Sequence, residues 1–260
     1  MGALSSAPAI TLQFPQFQRE VSYTRRFDKR GQPSAAVKIP SVRFDPAGLP
    51  FMGGALVLAI IVGALALALG AGALSASLVA IPFVLASAFF AFFFRDPDRR
   101  PRPEEPDEAV LAPADGRVLI AGPAAANAAP PGHWQQISIF LSPMDVHVNR
   151  VPVSGRVTRV SFTPGRFLPA YHENAATANE RSEIWIDHHG QAVVARQIVG
   201  ILARRVVCRV ELGTKVRAGD RFGIMKFGSR MDVFVPISAT VAVSAGQKVR
   251  GGETVIAMLH

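Results

Sequence analysis

A serine becomes a nucleophile only where a base can take its proton. One serine here has a setting that chemistry could use: Ser229, in GIMKFGSRMDVFVP at residues 223–236. Gly228 before it lacks a side chain, so its backbone reaches angles other residues resist and its carbonyl can be approached closely. Lys226 and Arg230 flank the pair with charge, Phe227 and Met231 with apolar surface. A Gly-Ser dipeptide alone most often marks a turn, so proton-transfer partners have to come from elsewhere. Residues 140–152, FLSPMDVHVNRVP, hold the strongest candidate, His147, an imidazole that exchanges protons near neutral pH. It stands two residues after Asp145, which in a strand puts both side chains on one face, and Arg150 follows in the same run. Asp115 in APADGRV is a further carboxylate, although Asp before Gly commonly just makes a turn. Asn179-Glu180-Arg181 is a third polar cluster, whose default is a solvated loop.

The elements that position these residues fall into blocks. The chain has 260 residues, 49% of them hydrophobic, enough for one substantial domain and an additional segment. A formal net charge of +9 points to a polyanionic partner, either nucleic acid or the anionic face of a bilayer. Cys208 is the sole cysteine, which excludes an intrachain disulfide and any multi-cysteine zinc site, and fits a reducing, cytoplasm-facing environment. The six histidines form no HExxH or similarly spaced set, so no metal is expected. Residues 1–46 read as a basic cytoplasmic arm, with weak strand character near 37–44. Residues 47–94 carry no charge and are long enough for two bilayer crossings, about 20 residues each. Glycines at 70 and 72 break the run into helices expected at about 50–69 and 74–94, and Pro82 is a candidate kink in the second. Arg43 before the hairpin and Arg95, Arg99, Arg100 and Arg102 after it place both ends in the cytoplasm. Residues 95–108 form a charged, Pro-rich linker that lifts the following domain off the bilayer.

From 109 to 260 short β-branched and aromatic runs alternate with Gly, Pro, Asn and Asp, predicting a β-rich (α+β) catalytic domain of short antiparallel strands. GTKVRAGD at 213 and GQKVRGGE at 246 repeat at an offset of 33 residues, predicting a duplicated, hammerhead-like C-terminal unit whose halves bury apolar faces against each other. The phrase P-x-x-G-x-V recurs at 113–118 and 152–157. The Gly-Ser pair lies between the repeat halves, at a turn from one unit to the next. Such a repeat also resembles biotinyl and lipoyl carrier domains, which modify a lysine on the intervening hairpin. Met225-Lys226 occupies that place, so a membrane-tethered carrier modified at Lys226 is the rival reading.

The combination of PADGRV, FLSPMDVHVNRVPVSG, ANERSE and KFGSRMDVFVP resembles the phosphatidylserine decarboxylase proenzymes, in the short bacterial form with a membrane hairpin ahead of the catalytic domain. The resemblance covers the chain from about residue 50 and leaves the arm outside. It implies self-cleavage between Gly228 and Ser229, giving a β chain ending at 228 and an α chain whose first residue becomes a pyruvoyl group. That group, derived from Ser229, would be the cofactor for converting phosphatidylserine to phosphatidylethanolamine, with His147 returning a proton and Asp115 assisting the serine. The same resemblance extends to archaetidylserine decarboxylase. Arg150 stands where long forms carry a second histidine, which leaves the base for Ser229 open between His147 and another histidine such as His172. Arg150, Arg230 and Phe227 are the expected substrate contacts. The implied partners are a phospholipid and an anionic membrane rather than nucleic acid, with α and β chains associated as a homodimer or higher assembly. The implied location is the cytoplasmic face of the bacterial inner membrane.

Overall fold

The computed structural model describes residues 42–125, 127–201, 206–226 and 228–260. Most of the arm, and Phe227, lie outside the described residues. The apolar run folds as two helices, α1 (Leu49–Ala68) and α2 (Ala73–Phe93), within a residue of the expected bounds. A run that is apolar on every face has no solvated side to orient, and Leu56, Ile60, Leu65, Leu78 and Leu85 are all exposed along the hairpin. Both helices are long and apolar enough to cross a membrane. Gly70 sits at φ 85° in the turn between them, a left-handed angle glycine adopts without strain.

The base of the hairpin is knitted into the rest of the chain. Strand β1 (Val42–Phe44), at the end of the expected arm, pairs antiparallel with β2 (Arg95–Pro97), the start of the expected linker. Asp45 caps the following turn by accepting from the Ala47 N–H at 2.9 Å, and takes both Arg209 Nη atoms at 2.6 Å. Asp96 is buried against Arg150 and Arg221. The segment expected as a solvated spacer therefore starts as packed structure.

The remainder is β-rich: β3 (Ala109–Leu111), β4 (Gly116–Pro123), β5 (Trp134–Leu141), β6 (Val148–Arg150), β7 (Gly155–Thr163), α3 (Ala175–Ala178), β8 (Arg181–His188), β9 (Gln191–Val199), β10 (Val206–Cys208), β11 (Lys215–Val216), β12 (Arg221–Met225), β13 (Ser229–Pro236), β14 (Thr240–Val241), β15 (Lys248–Val249) and β16 (Val255–Met258). Eight strands form one sheet in the order β11-β7-β8-β9-β13-β5-β4-β15, with three-stranded sheets β10-β12-β6 and β14-β16-β3 beside it. Alternation along β13 and β5 sends Met231, Val233, Ile137 and Ile139 into the main core.

The two repeats occupy opposite edges of the large sheet. Lys215-Val216 pairs with Arg156 and Gly155, and Lys248-Val249 with Arg117 and Gly116, so each repeat pairs with one of the two P-x-x-G-x-V phrases. The sheet curls enough to bring the edges together: a Cβ on Gly252 would lie 3.7 Å from Gly219 Cα. The halves thus approach at their glycines, with Val216 and Phe222 of one and Val249 and Ile256 of the other buried in the same main core, and the register does not by itself define a hammerhead.

Candidate active site

Ser229 opens β13, the strand at the centre of the large sheet, between Val199 of β9 and Leu141 of β5. The preceding strand β12 belongs to the three-stranded sheet, so the Gly-Ser pair sits where the chain crosses from one sheet to the other. The pair is expected at a turn from one repeat unit to the next, and here that passage runs between two sheets, with β12 and β13 each pairing with distant partners. The crossing requires φ 72° at Gly228, a backbone state that glycine alone takes without strain. Ser229 is fully buried, and its Oγ has no hydrogen-bond partner. A buried hydroxyl left unpaired costs about 1–3 kcal/mol, and in native proteins such an orphan calls for a reason.

His147 reaches the same place from the turn after β5. Pro143 starts that turn, and the Asp145 carboxylate closes it by accepting from the Ser142 N–H at 2.8 Å. The expectation of Asp145 and His147 as strand neighbours is corrected here, since β6 begins only at Val148. It is the Asp145 carbonyl, 2.9 Å from Nδ1, that the imidazole meets. A carbonyl only accepts, so Nδ1 carries the proton and Nε2 is left as the acceptor. Nε2 faces the backbone N–H of Gly228 at a long 3.4 Å. Burial pushes the His147 pKa down to about 4, outweighing the Asp145 carbonyl and the carboxylates of Asp145 and Asp115, while Arg95 adds to the lowering. At neutral pH the ring is an uncharged base beside the Gly228–Ser229 bond.

Asp115 lies at the same end of the sheet. Arg117, Phe140 and Arg230 share one row across β4, β5 and β13, so Asp115 and Ser229 both lie past that row, two strands or roughly 10 Å apart. Arg99 grips both Asp115 oxygens, and the Gly251 N–H donates to Oδ1 at 2.8 Å. Its negative charge is thereby fixed in place.

The two arginines singled out by sequence point elsewhere. Arg150 is buried and donates to Asp96 Oδ1 at 2.9 Å, to Pro97 O at 2.7 Å and to Gly219 O at 3.0 Å, holding the hairpin base to the domain. Arg230 leaves β13 on the face opposite Ser229, where Asp232 accepts its Nε at 2.6 Å and Ser138 Oγ its Nη2 at 3.0 Å. There it lines a cavity of about 500 Å³ with Gln136, Tyr171 and Glu173. His172 is exposed, its Nδ1 accepting from the Asn174 N–H at 3.2 Å. Asn179 is not a solvated loop residue: it is buried and donates to Leu168 O and Val199 O, both at 2.8 Å.

An apolar cavity of about 370 Å³ opens directly onto Gly228, lined by Phe140, Pro143, Pro169, Tyr171, Gly200 and Ile201. Sequence reasoning missed these residues, which come from three separate segments and are mostly apolar. Lys226 is not on a hairpin tip; its ammonium lies 4.9 Å from the centre of the Phe51 ring in α1. The fold also gathers Asp107, His188 and His189, with ligand-type atoms within 4.8 Å of one another, a grouping invisible to sequence spacing because Asp107 lies far away in the chain. His189 Nε2 and Asp107 Oδ2 are 2.9 Å apart, and His188 Nδ1 is 2.8 Å from Ser154 O.

A family model described as phosphatidylserine decarboxylase matches residues 86–257, spanning every residue of this site. The chain belongs to the phosphatidylserine decarboxylase family. Its relatives include proteins named phosphatidylserine decarboxylase proenzyme from Pelodictyon phaeoclathratiforme, 47% identical over 174 residues (66% of this chain, 80% of the relative), and from Chlorobium limicola, 41% identical over 214 residues (82% and 98%). A third, from Desulfotalea psychrophila, is 34% identical over 221 residues (85% and 98%). Membership makes the chain an enzyme, a decarboxylase named in its relatives as a proenzyme. The carrier reading also loses its structural premise, a modified lysine at a hairpin tip.

Proposed function

We propose that this chain decarboxylates phosphatidylserine to phosphatidylethanolamine after cutting itself between Gly228 and Ser229. The observation that carries the reading is the buried, unpartnered Ser229 Oγ following a left-handed glycine, next to a histidine held neutral with Nε2 facing Gly228. His147 Nε2 takes the Oγ proton as the oxygen attacks the Gly228 carbonyl carbon. The C–N bond breaks, the Ser229 nitrogen leaves as a free amine, and an ester joins 228 to 229. Loss of the Ser229 α-proton then breaks the Cβ–Oγ bond and releases the Gly228 carboxylate. The dehydroalanine left on the α chain takes up water and loses ammonia, giving a terminal pyruvoyl group. The orphaned hydroxyl and the open space at Gly228 fit its formation there. Once formed, the pyruvoyl supplies an electron sink for the pair left by the departing carboxylate.

The remaining work belongs to side chains. The apolar cavity against Gly228 suits the glycerol and upper acyl region of a lipid, which on binding would displace water from the reacting bond. His147 is placed to return a proton to the former α-carbon. Asp115, held by Arg99, is a carboxylate whose charge favours the imidazolium form. In this reading the hairpin brings the site to the lipid, and the arginines flanking it support a location of the domain on the cytoplasmic face of an anionic membrane.

Mass spectrometry of the purified protein tests the proposal. Two fragments divided at Gly228–Ser229, the smaller blocked by pyruvoyl, are expected, with phosphatidylethanolamine formed from phosphatidylserine vesicles. Ser229→Ala should give one uncut, inactive chain. An intact wild-type chain, or one carrying a carrier-type modification on Lys226, overturns the proposal. Faster turnover of an ether-lipid serine headgroup would reassign the substrate to archaetidylserine.

A further inference from the structure

The last residue of the membrane hairpin is a wall of the site. Phe93 ends α2, is fully buried, and has its ring centroid 4.1 Å from that of His147, with the planes 35° apart. Together with Phe94, Val146, Val148 and Ile224 it forms a small apolar cluster separate from the main core. A helix serving only as an anchor needs no such contact at its end. A second tie reinforces it: Arg95 donates from Nη1 to Phe92 O and from Nη2 to Met144 O, both at 2.7 Å, joining the helix terminus to the turn that presents His147. The imidazole thus has one face covered by Phe93 and Nδ1 held by the Asp145 carbonyl, with Nε2 directed to Gly228.

We propose that Phe93 is a positioning residue for His147: the seated hairpin covers the imidazole face, fixes the ring plane and keeps water off Nε2, so self-cleavage depends on the membrane anchor being docked. The proposal rests on the reading of His147 as the base for Ser229. The charged groups that bear on the ring are few. Asp145 and Asp115 favour the protonated form and Arg95 opposes it, while burial is the largest influence and keeps the ring neutral. Among the described residues, Phe93 is an aromatic side chain in direct contact with the ring, so truncating it admits water where desolvation is strongest.

The test uses the full chain in lipid nanodiscs. In a Ser229→Ala background, which stays uncut, ring-labelled histidine signals are titrated by NMR, with His147 assigned by Ser229→Ala/His147→Gln. Adding Phe93→Ala should raise the His147 pKa by about one unit or more toward its free value, while Phe93→Leu, which still covers the ring, should restore most of the lowering. In chains that retain Ser229, Phe93→Ala should slow self-cleavage at least tenfold at pH 7 and move its acid limb to higher pH by the same amount as the titration. Leu at 93 should recover the rate. An unchanged His147 titration in Phe93→Ala overturns the positioning role. A shifted titration with an unmoved acid limb of self-cleavage overturns His147 as the base, and with it the catalytic meaning of the contact. Should Phe93→Ala fail to fold, the Leu variant decides: a titration no different from that of a His147 exposed to water overturns the proposal.

Discussion

His147 should make this protein acid-labile by an amount that its surroundings set. An unfolded chain takes up a proton on this histidine near pH 6.5, the folded chain only near pH 4. Between those values the unfolded state binds more protons, so stability rises with pH through that window. The contribution is complete above about pH 6.5 and is lost as pH falls to 4. A separation of about 2.5 units at 1.36 kcal/mol per unit corresponds to about 3 kcal/mol. The assay is urea unfolding of the uncut Ser229→Ala chain in detergent at a series of pH values. It is followed by tryptophan fluorescence, since Trp134 and Trp185 meet edge to face across the large sheet with ring centroids 5.8 Å apart. Ser229→Ala/His147→Gln is the control. Other titrating groups are common to both proteins and cancel, so the loss between pH 7 and pH 4 should be smaller in the control by about 3 kcal/mol. Equal losses in the two proteins would refute the account of a histidine kept neutral by burial.

Two substitutions test the surroundings of the site. A Cβ on Gly200 would lie 2.3 Å from Gly228 O, so Gly200→Ala should displace the carbonyl that Ser229 attacks and slow self-cleavage at least tenfold, as read by gel against time, with the tryptophan-monitored fold retained. Asp96→Ala leaves buried Arg150 and half-buried Arg221 without their carboxylate and should cost about 3 kcal/mol in the same unfolding assay, because an uncompensated buried charge is far costlier than the pair was stabilising.

What could be read in advance divides by the range of the interaction that decides it. The hairpin was legible to within a residue because its signal is local: an uncharged run, a glycine break and arginines at each end. The long strands β4, β5, β7, β8 and β9 were legible from β-branched alternation for the same reason. Ser229 and His147 could be named as candidates from their residue types, yet the geometry relating them could not. That depends on β12 and β13 entering different sheets, which long-range pairing decides. The turn at 142–147 defeated the strand expectation because Pro143 and the Asp145 side chain close a local loop. Asp96 and Arg99 lie in a charged, Pro-rich stretch whose default is solvation, and only their partners, buried Arg150 and half-buried Asp115, reveal otherwise. Phe93 was hidden for the opposite reason, since one more phenylalanine in an apolar run looks the same whether it faces lipid or a histidine.

The lowered pKa also separates the two tasks proposed for His147. A group with a pKa near 4 is protonated in about one molecule in a thousand at pH 7, which suits a base and not an acid. On the proposed mechanism, taking the Ser229 proton is therefore the task that the neutral His147 of the uncut chain suits. Returning a proton after carboxylate loss needs the imidazolium, so the site that follows cleavage has to differ electrostatically from the one that precedes it. Two sources of the difference are already in place. The proposed cut leaves the Gly228 N–H in the 227–228 peptide but releases the new chain end to move relative to Nε2, and an anionic phospholipid bound at the apolar cavity on Gly228 would bring negative charge toward the ring, where a charge within about 4–6 Å moves a pKa upward by one or more units. On the proposed mechanism the same histidine serves as base before the cut and as acid after it because cleavage and substrate change its surroundings, while Phe93 keeps its contact with the ring.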